Sequence, residues 1–160
     1  MSELLDRLLA RDASLWPEGN VSATRLGWLD VPERMASEAA DLRSWAGAID
    51  ASQIILLGMG GSSLGSEVLH ASFGDDRLVV LDTTDPATVA GAPIDDPFFL
   101  VSSKSGTTLE VDCLFSYFWE RFPEGRRFAA ITDPGTPLAA LASERGFHRT
   151  FLNPPDIGGR

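Results

Sequence analysis

Lysine is nearly absent from this 160-residue chain: Lys104 is the only one, and every other basic side chain among the 13 is an arginine. Cysteine is as scarce. Cys113 stands alone, which excludes an internal disulfide and fits a reducing compartment. Histidine occurs only at His70 and His148, far apart in sequence, and no cysteine or histidine spacing suggests a metal site. No apolar run approaches the length of a membrane span. The amino terminus, MSELLDRLLARDAS, mixes acids, arginines and leucines, without the basic start and unbroken apolar stretch of a signal peptide. The expectation is a cytoplasmic protein that needs no metal and no cofactor. Positive charge is short overall. A net charge of −10 argues against nonspecific nucleic-acid binding and against docking on an anionic membrane. An anionic ligand would need a local electropositive site.

What is present suffices for one domain with a core, and an apolar content of 44% is ordinary for a globular chain. Leucines at 4, 5, 8 and 9 predict a short amphipathic helix over residues 2–11. Pro17, Gly19, Asn20 and Gly27 make residues 12–30 irregular, with Trp16 and Trp28 expected to pack against something. A second helix is predicted from Pro32 to Ile49, with Met35, Ala39, Leu42 and Ala46 as its inner stripe. The pattern then changes. QIILLG (53–58), RLVVLD (77–82), PFFLVS (97–102), RFAAIT (127–132) and HRTFLN (148–153) are short apolar runs separated by helix signals. Asp85-Pro86 and Thr136-Pro137 each read as a cap followed by proline at the first helical position. Thr107 and Glu110 match a capping box, and Leu109, Cys113 and Tyr117, with Leu114 and Phe118, would give the next helix its apolar face. Strands without alternation, separated by helices, imply a parallel sheet covered on both faces. The predicted fold is α/β: a helical arm over residues 1–50, then a doubly wound, five-stranded parallel sandwich over 51–160. The ending, LNPPDIGGR, stops in a glycine-rich loop, and the expectation is a chain cut short of a larger protein.

Two strand-to-helix loops carry the chemistry. The first is GMGGSSLG, Gly58 to Gly65; the second is SSKSGTT, Ser102 to Thr108. A phosphate needs several donors aimed at one point. Helix N-termini supply unpaired N–H groups and partial positive charge, glycines allow close backbone approach, and short hydroxyls add donors. The second loop has all of these and adds the chain's lone ammonium. In a flavodoxin-like strand order, strands one and three flank the switch point, so both loops would face one crevice. The competing readings are tight turns and helix caps without a ligand. A dinucleotide is a further rival: Gly58-Met59-Gly60 opens that fingerprint, and Asp82 lies about 24 residues on, where a ribose-binding acid belongs. Its third glycine, however, should stand where Ser63 does. No P-loop follows the first strand, and GGSSLG lacks both the frame and the histidine partner of a serine hydrolase. A compact monophosphate suits two short loops better.

These residues carry a resemblance. Gly58 to Gly65 resembles the first glycine loop of phosphoglucose isomerases. Ser103-Lys104-Ser105-Gly106-Thr107-Thr108-Leu109-Glu110 resembles their sugar-phosphate loop in its bacterial form, and Asp156-Ile157-Gly158-Gly159-Arg160 their glycine-glycine-arginine signature. The arm, with ARDASLW and RLGWLD, looks similar to the isomerase part of bacterial transaldolase–isomerase fusions. The resemblance implies a sugar isomerase (SIS) domain and an aldose–ketose isomerase of glycolysis and gluconeogenesis. Ser103, Lys104, Ser105 and Thr108 would bind the phosphate of a 6-phosphosugar. Gly61 and Ser62 would contact the sugar, and Arg160 would stabilise the enediolate. Ser66 departs from the proline of many members, and Val111 from a hydroxyl of animal forms. The general base and the ring-opening groups, a glutamate, a histidine and a lysine in that family, come from later segments and a neighbouring subunit of a homodimer. Glu110 matches a capping glutamate and not that base. The expectation is therefore binding without turnover. Two alternatives stay open: a noncatalytic SIS module that senses phosphosugars, and a dinucleotide-dependent oxidoreductase domain.

Overall fold

The structure, a computed structural model, describes residues 2–74 and 76–158. In chain order the elements are α1 (Ser2–Leu9), α2 (Val31–Gly47), β1 (Gln53–Gly58), α3 (Leu64–Phe73), β2 (Leu78–Leu81), α4 (Pro86–Gly91), β3 (Pro97–Ser102), α5 (Leu109–Trp119), β4 (Phe128–Thr132), α6 (Pro137–Glu144) and β5 (Arg149–Leu152). The five apolar runs are the five strands. Ile49–Asn153 form one compact unit. The other comprises the described parts of Met1–Ala48 and Pro154–Arg160.

In the first of these units all strand pairs are parallel, in the order β2-β1-β3-β4-β5. This is the doubly wound arrangement expected from the sequence. The chain leaves β1 toward β2 and later returns past β1 to β3, so the order reverses between β1 and β3. Right-handed crossovers put α3 on one face of the sheet and the later helices on the other. Strands without alternation are buried on both faces, and β3 is buried at every position but Leu100. Phe99 stacks on Phe128 with ring centroids 4.8 Å apart, and lies 5.0 Å from Phe118. Around them pack further residues of the main core, among them Ile55, Leu57, Val101 and Leu138.

Both proline-led caps form. The Asp85 carboxylate accepts from the Thr88 N–H (2.8 Å), and the Thr136 hydroxyl accepts from the Ala139 N–H (3.2 Å). The expected apolar face of α5 holds at Leu114 and Phe118, with Tyr117 half-buried against the core, and fails at Leu109 and Cys113. Val111, Leu114, Phe115 and Phe118 are buried, while Leu109 and Cys113 are exposed. The helix starts only at Leu109, and the spacing 111, 114, 115, 118 is itself one helical face. Among the described residues no helix is long and apolar enough to cross a membrane.

In the second unit, residues 12–30 contain three short 3-10 turns, the first two capped by Asp12 and Asn20. Trp28 does not pack as expected; it is 53% exposed. Nor does the predicted stripe of α2 hold: Met35 and Ala46 are exposed, and only Ala39 and Leu42 are half-buried. The inward positions include Arg34, because a charged segment has to be met there. That segment is the tail. The Gly27 N–H donates to the Asp156 carbonyl (2.8 Å), Leu26 and Ile157 form an antiparallel bridge, and Arg25 donates to the Pro155 carbonyl (2.7 Å). Arg34 approaches the Asp156 carboxylate at 3.1 Å and Arg11 at 3.9 Å. Glycine at 27 leaves room for the Asp156 carboxylate: a Cβ there would lie 2.5 Å from Asp156 Cγ and would have to displace that side chain. Residues 154–158 thus group with the arm, where the sequence division at 50 and 51 had set them with the sheet.

The Arg34 hydrogen bond holds the Asp156 carboxyl below its ordinary value of 3.8, against the opposing effect of burial. A folded-state pKa below the unfolded one stabilises above the ordinary carboxylate range, and that contribution disappears as pH falls through the folded value. The hydrogen-exchange protection factor of the Gly27 amide is therefore expected to hold near neutrality and to fall on acidification below 3.8. In Asp156→Asn it should be low throughout. A wild-type protection factor independent of pH would contradict the clamp.

Candidate functional site

The parallel ladder of β1 and β3 ends with Gly58 opposite Ser102, so the loops that follow the two strands start side by side. In the first loop Gly60 takes a positive φ of 55°. Ser63 closes the turn: its N–H (3.0 Å) and its hydroxyl (2.9 Å) both donate to the Gly60 carbonyl, and it is fully buried. Gly61 is left exposed and Ser62 half-buried. A Cβ at Gly58 would lie 2.8 Å from the Ser62 carbonyl oxygen and 3.4 Å from Ser102 Cβ. Glycine there lets the first loop fold back against the end of β3.

The second loop is knitted to the neighbouring strand. The Ser103 N–H donates to the Ile131 carbonyl (3.0 Å), and the Asp133 N–H donates to the Lys104 carbonyl (3.1 Å). Ser103 is buried. Its hydroxyl accepts from the Gly106 N–H (3.1 Å) and shares a hydrogen bond with the Thr108 hydroxyl (2.9 Å). Ser105 is exposed and accepts from the Thr107 hydroxyl (3.0 Å). The expected capping box of Thr107 and Glu110 does not form. Thr108 is the capping residue of α5, in extended conformation, and makes no side-chain cap bond. The hydroxyls that could cap are taken up inside the loop, Thr108 by Ser103 and Thr107 by Ser105. The first turn of α5 thereby keeps N–H groups that its own helix cannot satisfy.

Lys104 donates to the Asp133 carboxylate and forms an ion pair with it, the two side chains being 30% and 27% exposed. The other carboxylate oxygen of Asp133 accepts from the Asn153 side-chain amide (3.0 Å). Asp133 follows β4 and Asn153 follows β5, so both stand at the same carboxyl edge of the sheet as the two loops. Sequence reasoning missed them. ITDPGTP drew attention only as a strand followed by a cap, although a polar residue just past a strand of this sheet is itself a signal.

The structure therefore brings six of the seven predicted site residues to one edge: Gly61 and Ser62 after β1, and Ser103, Lys104, Ser105 and Thr108 after β3. The seventh, Arg160, lies outside the described residues, as does Gly159. Two helix N-termini, several hydroxyls and one ammonium at one sheet edge suit a small oxyanion.

No protein-family model matches the chain. A curated glucose-6-phosphate isomerase of Thermus thermophilus is 31% identical over 153 residues, covering 84% of this chain. The chain belongs to the glucose-6-phosphate isomerase family. It covers 35% of that relative, so it spans about a third of the length of the curated isomerases it matches. A solved hypothetical protein of Thermus thermophilus superposes with a TM-score of 0.76 at 26% identity, over 98% of this chain and 40% of that one. A solved glucose-6-phosphate isomerase of Chlamydia trachomatis gives 0.66 at 24% identity, over 94% of this chain and 31% of that one, and supports the fold. The expected likeness to transaldolase–isomerase fusions finds no support in these comparisons. Val111, where animal isomerases were expected to differ, is a core residue here, 1% exposed.

Gly106 fixes how the loop after β3 sits against the start of α6. Its φ is 65°, and a Cβ would lie 2.6 Å from Thr136 Cβ and 3.0 Å from the Leu138 nitrogen. Gly106→Ala is expected to destabilise the chain by about 1–3 kcal/mol in urea unfolding. A change under about 0.5 kcal/mol, the range of a neutral surface substitution, would contradict this seating.

Proposed function

We propose that this chain is the sugar-phosphate-binding segment of a glucose-6-phosphate isomerase, the enzyme that interconverts glucose 6-phosphate and fructose 6-phosphate in glycolysis and gluconeogenesis. The observation that carries the reading is the pairing of Gly58 with Ser102, which starts both glycine- and hydroxyl-rich loops from neighbouring strand ends. Lys104 supplies the local cation that a chain of net charge −10 needs to hold a dianion. Ser105 and Thr108 add hydroxyls, and Ser103, whose hydroxyl holds Gly106 and Thr108 in place, would reach the phosphate by exchanging one of these bonds. Gly61 and Ser62 meet the sugar. Arg160 stabilises the negative charge of the enediolate as the proton moves between carbons 1 and 2.

Aldose–ketose isomerisation also needs a general base. No residue of this chain matches the base or the ring-opening groups of the family, and the chain spans about a third of its relatives. The 160-residue chain binds 6-phosphosugars and does not turn them over. In this reading the whole enzyme is a cytoplasmic homodimer that requires no cofactor and engages neither nucleic acid nor membrane.

Calorimetry with glucose 6-phosphate is expected to show Lys104→Ala weakening binding by about 1.5–3 kcal/mol, with Ser105→Ala costing less. Glucose 6-phosphate and 6-phosphogluconate should raise the melting temperature, and NAD should not. An unchanged affinity in Lys104→Ala, or stabilisation by NAD alone, would contradict the proposal. Isomerase activity of the purified chain above a vector control would overturn the absence of turnover.

A further inference from the structure

The chain's only lysine is not held ready for a ligand. It is bonded to a carboxylate whose other oxygen is fixed by the Asn153 amide, and whose backbone N–H is fixed on the Lys104 carbonyl. The Thr132 hydroxyl leans on the same carbonyl at 3.4 Å. Asp133 is thus tied down from β4, β5 and the β3 loop together. From these contacts we infer that Asp133 is a built-in competitor for Lys104, a determinant of affinity that an incoming phosphate monoester must displace or out-charge. The inference rests on the phosphosugar reading above and deepens it.

Magnitudes decide the sign of its effect. Holding Lys104 in place spares a ligand some of the rotamer freedom of a long side chain, worth at most about thirtyfold in affinity. Against that stand two costs. The ammonium has to share or leave a carboxylate, and a fixed negative charge remains near a dianion. At a half-buried surface each unit-charge interaction at about 4 Å is worth roughly fivefold to several hundredfold in affinity, and the repulsive energy doubles for a dianion. The costs win, so Asp133 weakens binding. An ammonium has three donors, so Lys104 can reach a phosphate before it releases Asp133. The repulsive part scales with ligand charge. Asp133 therefore penalises a phosphate dianion more than a monoanionic sulfate ester of the same sugar.

The test uses Asp133→Asn, with Asp133→Ala as the second variant and a melting curve to establish folding. Calorimetry at low salt is expected to show glucose 6-phosphate binding about tenfold more tightly than in the wild type. The gain should be smaller for glucose 6-sulfate and should shrink as salt is raised. Equal or weaker binding of glucose 6-phosphate in both folded variants would overturn the inference and make Asp133 a positioning residue for Lys104. A readout without ligand separates this inference from the reading it rests on. Because Lys104 is the sole lysine, an amine-acylating reagent mapped by mass spectrometry reports on it alone among side chains. Its labelling should be several-fold faster in Asp133→Asn. If no form of the chain binds a phosphosugar while labelling accelerates, the hold of Asp133 on Lys104 stands and the phosphosugar reading falls. If labelling does not accelerate, the competitor falls whatever the chain binds.

Discussion

The parallel pairing of β1 with β3 is the constraint on which the site depends. Consecutive strands usually lie side by side, and here β2 lies on the far side of β1 so that β3 can take the near one. The reversal leaves the loops after β1 and β3 without a crossover between them. Residues more than forty positions apart in sequence, Gly58 and Ser102, become neighbours in one ladder. The glycine at 58 is part of the same requirement, because any side chain there would push the first loop off the end of β3. Fold and candidate site are in this sense one arrangement: the topology starts both loops from neighbouring strand ends, and the small residues let their backbones approach.

Within that arrangement the polar groups satisfy one another to a degree the composition does not suggest. Ser103 is spent on the loop's interior, Thr108 on Ser103, Thr107 on Ser105, and Lys104 on Asp133. Such a loop keeps its shape without a ligand, which lowers the ordering cost of binding. It also means that a ligand has to exchange with existing partners, so affinity is a difference between two sets of bonds. The chain's acidity bears on this balance. With a net charge of −10, the field of the whole molecule opposes an anion, and the local donors have to outweigh it.

Much of the fold was legible in the sequence, for identifiable reasons. The strands are apolar runs bounded by turn residues, and all five runs became strands within one or two residues of their expected ends. Asp85 and Thr136 could be read as caps because a proline follows each and fixes the first helical turn. The glycine- and hydroxyl-rich loops were legible because their composition is rare at strand ends. What was not legible depends on tertiary contacts. The capping box at Thr107 lost to hydroxyl bonds inside the loop. The face of α2 was misread because Arg34 turns toward Asp156, a partner far along the chain, whereas α5 was read correctly at Leu114 and Phe118 and missed at Val111 and Phe115, whose spacing was there to be seen. Asp133 and Asn153 joined the site only when the sheet order placed the ends of β4 and β5 beside Lys104. The arm's grip on Asp156 had no local sign apart from Gly27.

The central claim is that the turns after β1 and β3 converge on one phosphate. Amide chemical shifts of the isotope-labelled chain, followed as glucose 6-phosphate is added, test it most directly. The account predicts saturable shifts concentrated in Gly58 to Gly65 and Ser102 to Glu110, moving together with one dissociation constant. Shifts confined to one of the two loops, or centred elsewhere on the chain, would contradict it.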